Sequence, residues 1–222
     1  MSSNHVPVVG LIGGIGSGKS SVAARIAAEV SAVILDADAT GHAALSRADV
    51  KDRLKSRFGT TIFDENNEVI RHRLAEVVFG DSPDQQQRRE SLNQILHPII
   101  RTLLLNEYEI AQSKPGCQVV LLDATLLLEA GWADLCDLIV FVDVPHAQRV
   151  NRVMGRGWDA AELARREASQ LSVEEKKRRA DLIVDNSGSV DEAASAVLHE
   201  INRRFGRMES VGPQPVGTDS SP

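Results

Sequence analysis

The chain has 222 residues, of which 42% are hydrophobic and 4% aromatic, and its formal net charge is −6 at pH 7. This length suits a single α/β domain with an inserted part, built on a core of Val, Ile, Leu and Ala. The acidic balance argues against nucleic-acid binding, which needs a basic surface. No apolar run reaches the roughly 18 residues of a membrane-spanning helix, and the short polar start is unlike a signal peptide.

The first segments predict a strand, a glycine loop and a helix. Residues 6–12 form a nearly continuous β-branched run, residues 13–18 are rich in glycine, and apolar side chains then recur at helical spacing up to Val30. Residues 32–35 predict a second buried strand that ends at Asp36. The continuous apolar character of both strands is typical of parallel strands covered on both faces.

Residues 40–115 predict a helical insertion that caps the sheet. Asp49 can cap a helix that runs to Phe58, and Ser82 followed by Pro83 can start a helix that runs to about Leu96. His97-Pro98 predicts a boundary there, with a separate helix over 99–112.

Strand patterns return in the second half of the chain. Residues 118–122, 138–142 and 182–184 predict three more buried strands, each followed by an aspartate, and helices are predicted over 147–154, after Asp159 and over 191–205. The prediction is a doubly wound parallel sheet in one domain over 1–206, with its core at about 6–39 and 117–206. Residues 207–222 are rich in Pro, Gly and Ser, so we expect a disordered tail.

The glycine loop indicates nucleotide binding. Residues 13–20 read Gly-Gly-Ile-Gly-Ser-Gly-Lys-Ser and lie between the predicted strand and helix, where a phosphate-binding loop must lie. Glycines let backbone N–H groups approach phosphates closely, Lys19 can reach the β- and γ-phosphates, and the Ser20 hydroxyl can bind Mg²⁺. A tight turn without a ligand is the alternative.

Carboxylates follow the predicted strands at the same edge of the sheet. Asp36, Asp38 and Asp123 come at two strand ends, and ligands of open α/β sheets bind outside these carboxyl ends. Two carboxylates at one strand end are costly unless a cation is near. We expect Asp36 to support Mg²⁺ through water and Asp38 to hold the acceptor hydroxyl, whereas the alternative role for each is a helix cap.

Basic residues follow the fourth predicted strand. Arg149, Arg152 and Arg156 share one helical face, as expected for a lid at about 149–180 that closes over phosphates, or for a solvated surface. The run 176–179 is either a solvated helix face or a phosphate-facing lid. Cys117 and Cys136 lack metal-ligand spacing and are expected to be free thiols, which suits the cytoplasm.

Taken in order, these motifs resemble the dephospho-coenzyme A kinases over residues 7–205. The resemblance is carried by the following residues: Gly10 to Ser20, Asp36-Ala37-Asp38, Arg71 with Leu74 and Phe79, His97-Pro98, Leu126-Leu127-x-Glu129, Gln148 with Arg152 and Arg156, Arg166 with Gln170, and Ala180-Asp181 with Asp185-Asn186 and Gly188. Two positions depart from the family's usual pattern: Thr125 stands where Pro is usual, and Gly157 where Asp or Asn is frequent.

The resemblance implies ATP- and Mg²⁺-dependent phosphorylation of the ribose 3′-hydroxyl of dephospho-coenzyme A. It implies a P-loop kinase fold with a nucleotide core, a helical substrate-binding insertion and a lid. The implied catalytic residues are Asp38, Lys19 and Arg152. The implied nucleotide-binding residues are Gly14, Ile15, Gly16, Ser17, Gly18, Lys19, Ser20, Ser21, Arg156 and Asn186. The implied acceptor-binding residues are Asp38, Arg71, His97, Leu127 and Glu129, and the metal is assigned to Ser20 and Asp36.

Two other functions fit the glycine loop alone. One is a different small-molecule P-loop kinase that acts on a nucleoside monophosphate or a sugar. The other is a nucleotide-binding switch such as a GTPase, although the chain lacks an Asn-Lys-x-Asp segment for reading guanine.

Overall fold

The structure, a computed structural model, describes residues 5–80, 82–155 and 157–210. The described chain forms, in order, β1 (Val8–Gly13), α1 (Lys19–Ala27), β2 (Ala32–Asp36), α2 (Ala37–Ala44), α3 (Ala48–Phe58), α4 (Arg71–Val78), α5 (Pro83–Gln112), β3 (Val119–Asp123), a short 3₁₀ helix (Ala133–Leu135), β4 (Leu138–Asp143), α6 (His146–Met154), α7 (Ala160–Glu167), α8 (Val173–Arg179), β5 (Leu182–Asp185) and α9 (Val190–Phe205). Within these described ranges, no helix is both long and apolar enough to cross a membrane.

The strands form one parallel sheet in the order β2-β3-β1-β4-β5. Alternate side chains of β1 point to opposite faces: Val9 and Leu11 pack under α1 and α9, whereas Val8 and Ile12 pack against α5 and the turn after β3. Because both faces are covered, the strands need apolar residues at successive positions, which is the pattern that the sequence shows. The doubly wound fold is therefore confirmed.

Two strand expectations are wrong. The sequence predicts that β2 and β5 are buried, but both lie at the edges of the sheet, with Ile34 of β2 38% exposed and Ile183 of β5 49% exposed. The apolar run of β2 does not distinguish an edge strand from a central one, because strand order is set by how the whole chain packs.

The segment between β2 and β3 is helical and has a core of its own. Side chains of α3, α4 and the first half of α5 form this cluster, with Leu54, Leu74 and Ile95 buried in it. Asp49 is not the cap of α3, because the helix begins at Ala48 with Arg47 as its N-cap residue. Ser82 does cap α5, accepting a hydrogen bond from the backbone N–H of Gln85.

The predicted break at His97-Pro98 is wrong, because α5 continues through Pro98 as one helix from Pro83 to Gln112. A proline inside a helix removes one backbone hydrogen bond and is locally unfavourable. Both halves of α5 are nevertheless buried: Ile95 lies in the insertion cluster, and Ile100 and Leu104 lie in the core under the sheet. Burial of the two halves outweighs the local penalty.

The folded part also extends past the predicted boundary at 206. The Met208 N–H donates to Asn202 Oδ1 at 2.6 Å, Glu209 exchanges two hydrogen bonds with the Gln118 side chain, and Ser210 forms a β-bridge with Val30. The expectation of disorder from 207 is therefore wrong for 207–210. The rest of the predicted tail, 211–222, lies outside the described residues.

Candidate functional site: a phosphate loop beside three carboxylates

The glycine loop joins β1 to α1 at the carboxyl edge of the sheet. Gly16 and Gly18 have φ values of 81° and 85°, in the left-handed region that side chains disfavour. Gly18 is the N-cap residue of α1, so the first turn of that helix, which begins with Lys19 and Ser20, faces the loop. A helix N-terminus presents unpaired N–H groups and partial positive charge, which suits a phosphate.

The loop is braced by α6 and by the chain after β5. Arg149 donates to the Ile15 carbonyl at 3.2 Å, and Arg152 donates to the carbonyls of Ser17 at 3.2 Å and Asn186 at 2.9 Å. The buried Asn186 side chain donates to the Ser17 carbonyl at 2.7 Å. These contacts engage carbonyl oxygens of the loop, the groups that would repel a phosphate. In this structure, Arg152 and Asn186 therefore hold the shape of the loop.

Asp123 contacts the last residue of the glycine motif. The Ser20 hydroxyl donates a hydrogen bond to Asp123 Oδ2, and the Asp123 side chain is buried at the end of β3. Burial raises the pKa of Asp123 above its ordinary value; the Ser20 hydrogen bond and the charge of Lys19 act in the opposite direction, and Asp36 and Asp38 raise the pKa further. One lysine and three carboxylates thus share a single electrostatic environment.

Asp36 and Asp38 have different surroundings. Asp36 pairs in register with Asp123, and its carboxylate caps α2 by accepting the Ala39 N–H at 2.9 Å. Asp38 lies in the first turn of α2, exposed, and accepts a hydrogen bond from the Thr125 hydroxyl at 3.1 Å. The sequence places all three acids at one edge but gives no role to Asp123. The sequence signal for Asp123 is its place directly after the apolar run 118–122, but its contact with Ser20 depends on the pairing of β3 with β1, which no local pattern reports.

The segment that the sequence predicts as a lid packs beside the loop. Arg149 of α6 is buried and forms an ion pair with Glu167 of α7. An open cavity of about 790 Å³ lies between Gly14 and this segment, with Arg149, Lys176 and Lys177 in its lining. Arg156 lies outside the described residues.

The basic run 176–179 matches neither expectation fully, because some of its side chains are buried in ion pairs and others are exposed. Lys176 is buried and pairs with Glu129 at 3.0 Å, and the half-buried Lys177 pairs with Asp143 at 2.6 Å. Arg178 and Arg179 are exposed and pair with Glu175 on the same helix. The first lysine of the run is therefore a structural anchor of α8.

The expected acceptor-binding residues fall into two groups. Arg71, at the start of α4, donates to His42 Nε2 at 2.8 Å, and His97 meets Trp132 edge-on with ring centroids 5.7 Å apart. Partial burial lowers the pKa of His97, against the charge of Glu129, which raises it.

Two of the expected acceptor-binding residues, Leu127 and Glu129, make contacts within the fold instead. Leu127 is completely buried in the core, so its side chain has no surface to offer a substrate. Glu129 accepts a hydrogen bond from the Leu171 N–H at 2.9 Å and forms an ion pair with Lys176 at 3.0 Å. Ser21, by contrast, is exposed on α1, next to the loop.

A strand-loop-helix phosphate site with lysine and serine, a facing carboxylate, and arginines of α6 that contact the loop together define a P-loop phosphotransferase. The dephospho-CoA kinase family profile matches residues 7–192. A dephospho-CoA kinase of Corynebacterium diphtheriae is 37% identical, with 89% of this chain and 96% of that protein covered, and one of Rhodopirellula baltica is 36% identical, with 88% and 89% covered. The crystal structure of TT1252 from Thermus thermophilus matches with a TM-score of 0.72 and 34% identity over 89% of this chain and 98% of that one. The chain belongs to the dephospho-CoA kinase family.

Proposed function

We propose that this protein transfers the γ-phosphoryl group of ATP to the ribose 3′-hydroxyl of dephospho-CoA, giving coenzyme A and ADP in the cytoplasm. The proposal depends mainly on the placement of Asp38. This exposed carboxylate lies at the same edge of the sheet as the phosphate loop and the Ser20–Asp123 pair. Family membership supports this acceptor over a nucleoside monophosphate or a sugar, and a kinase over a switch. The two free cysteines suit a reducing compartment.

Magnesium fits the residues at the loop. The Ser20 hydroxyl and the Asp123 carboxylate provide adjacent oxygen ligands, the kind that Mg²⁺ prefers, and burial raises the pKa of Asp123, an effect that a bound cation would offset. Ser20 and Asp123 would hold the ion, and Asp36, at the neighbouring strand end, would support it. When bound, Mg²⁺ neutralises charge on the phosphates.

The protein's own groups then position the reacting atoms. N–H groups of the loop and Lys19 bind the phosphates, and Lys19 offsets negative charge that grows in the transition state. Asp38 accepts the proton of the 3′-hydroxyl as the hydroxyl oxygen bonds to the γ-phosphorus and the bond to the β-phosphate oxygen breaks. Arg152, fixed against Ser17, keeps the loop in the shape that binds phosphate.

The acceptor residues proposed for the insertion are Arg71 and His97. Arg71 reaches His42 on α2, the helix whose first turn carries Asp38, so the insertion and the proposed base are connected through one helix. An arginine is suited to the pyrophosphate of the acceptor, because its planar fork binds two phosphate oxygens.

The test is ATP consumption by the purified protein with dephospho-CoA, AMP or gluconate as acceptor, with the product identified by mass spectrometry. We expect turnover and a mass gain of one phosphoryl group with dephospho-CoA alone. The matched control is dephospho-CoA that lacks the 3′-hydroxyl, which should bind but not react. Phosphorylation of AMP or gluconate in its place would contradict the proposal.

A further inference from the structure

The side chain that contacts Asp38 comes from a distant part of the chain. The Thr125 hydroxyl donates to Asp38 Oδ2 at 3.1 Å, between residues 87 positions apart. Thr125 lies two residues past the end of β3, in the turn that leads to Leu127. This hydrogen bond crosses from the third strand to the helix that follows the second.

The backbone at Thr125 is held in place by hydrogen bonds with neighbouring residues. The Thr125 carbonyl accepts a hydrogen bond from Lys176 Nζ at 3.2 Å, and this buried lysine also bonds Gln170 at 2.9 Å. The turn after Thr125 is closed by the hydrogen bond from the Ala130 N–H to the Leu126 carbonyl at 2.8 Å, with Leu127 packed in the core. The Thr125 hydroxyl is therefore carried by a backbone whose position is fixed.

Asp38 is not held in this way by its own helix. It is exposed in the first turn of α2, where the capping hydrogen bond uses Asp36 instead. A free aspartate side chain turns among staggered rotamers, and only some of these would aim an oxygen at the acceptor. One neutral donor on Oδ2 selects an orientation and leaves Oδ1 for the hydroxyl of the substrate.

We propose that Thr125 is a positioning residue that orients the Asp38 carboxylate for phosphoryl transfer. The proposal rests on the role of Asp38 in the proposed function.

The first experiment compares Thr125→Val, which keeps the shape and removes the donor, with Thr125→Ser, which keeps the donor. Because the lost hydrogen bond selects the orientation of the Asp38 carboxylate, Thr125→Val should lower kcat roughly tenfold. KM for dephospho-CoA and the affinity for ATP should change less than about twofold, and Thr125→Ser should restore most of kcat. Thr102→Val is the control, since the Thr102 hydroxyl bonds only the Pro98 carbonyl of its own helix.

The second experiment places the same change in the Asp38→Asn background. If Thr125 acts through the Asp38 carboxylate, Thr125→Val should have a much smaller effect on kcat there than in the wild type. An equal effect in both backgrounds, or a wild-type kcat in Thr125→Val, would overturn the proposal. If the wild type does not phosphorylate dephospho-CoA, the proposed function fails by itself. Crystals of wild type and Thr125→Val would then still decide whether Thr125 fixes the orientation of Asp38.

Discussion

Three aspartates share the crevice beside the phosphate loop, yet each has a distinct environment. The Asp36 carboxylate accepts a hydrogen bond at the N-terminus of α2. Asp38 is exposed and contacts Thr125, and Asp123 is buried against Ser20. Carboxylates differ in chemistry when their surroundings differ, because burial, nearby charge and hydrogen bonds each move the pKa. The three side chains can therefore act as cap, base and metal ligand although they are the same amino acid.

Asp123 should make the free protein less stable at neutral pH than Asn would. Because its pKa is raised in the folded state, the folded chain binds more protons than the unfolded chain between the ordinary value of 3.8 and the raised value. The free energy of unfolding contributed by this group therefore falls as pH rises through that window and stays lower above it. Asp123→Asn should raise the melting temperature at pH 7 by about 2–4 °C for each kcal/mol of relief, while lowering kcat.

Thermal melts of both proteins from pH 4 to 8, without nucleotide or metal, would measure the effect on stability. The wild type should lose stability relative to Asp123→Asn as the pH rises. A variant that melts lower at pH 7 would mean that the Ser20 and Lys19 contacts outweigh the cost of burying the charge.

Asp36 and Asp38 form a matched pair for testing their assigned roles. Asp38→Asn cannot take a proton, so kcat should fall roughly 100-fold or more with little change in ATP binding. Asp36→Asn keeps a good helix cap, so it should mainly raise the Mg²⁺ concentration that gives half-maximal rate. Steady-state kinetics with Mg²⁺ titration measures both. The reverse pattern would show that the roles are swapped, and two active variants would leave the acids as turn residues.

At the scale of elements, one buried ion pair joins α8 to the turn after β3. Lys176 lies with 2% of its side chain exposed against Glu129, which also accepts the Leu171 N–H. This contact attaches α8 to the turn after β3, which also carries Thr125. Helix α8 and the proposed catalytic base, Asp38, are thus both attached to the same turn.

Lys176→Met should be strongly destabilising. Removing one partner of a buried pair leaves the other charge unpaired and costs about 3–5 kcal/mol, whereas an exposed pair contributes less than about 1 kcal/mol. Lys177→Met on the same helix is the control, because Lys177 and Asp143 are each about one-third exposed, at 34% and 33%. Urea unfolding would measure the difference, and Lys176→Met/Glu129→Gln should recover most of the loss. Equal effects at 176 and 177 would contradict the anchoring role.

At the scale of the whole molecule, residues 207–210 pack at the amino ends of the strands, on the side of the sheet opposite the candidate site. They contact Gln118 and Val30, which precede β3 and β2, so they lie at the amino ends of these strands. Met208 also packs against the cluster under α1 and α9. This segment therefore serves stability rather than catalysis.

A chain that ends at Gly206 should melt a few degrees below one that ends at Ser210, since about 1 kcal/mol corresponds to roughly 2–4 °C in a protein of this size. The two chains should have the same kcat, because the lost contacts are remote from the phosphate loop. Gln118→Ala should lower the melting temperature of the longer chain and have little effect on the shorter one. Equal melting temperatures for the two chains would show that residues 207–210 add nothing.

Local patterns in the sequence predict the local parts of this structure well. The glycine loop, the five strands and the Ser82 cap are each encoded by neighbouring residues, and the structure has them. Strand order, the continuity of α5 and the Ser20–Asp123 and Glu129–Lys176 contacts join residues far apart in the chain. No spacing rule reports such contacts, because they depend on which surfaces meet once the chain is packed.

The path of α5 limits how this protein could be re-engineered. A helix of 30 residues, about 45 Å long, begins in the insertion cluster and ends in the core under the sheet. The insertion begins after α2, and the chain returns to the core under the sheet within α5. No loop therefore separates the insertion from the core at this second boundary. A cassette from another kinase, joined at loops, would bring its own α5 and disturb the core. Only a splice inside α5 that preserves helical phase would exchange the helical insertion and leave the core under the sheet intact.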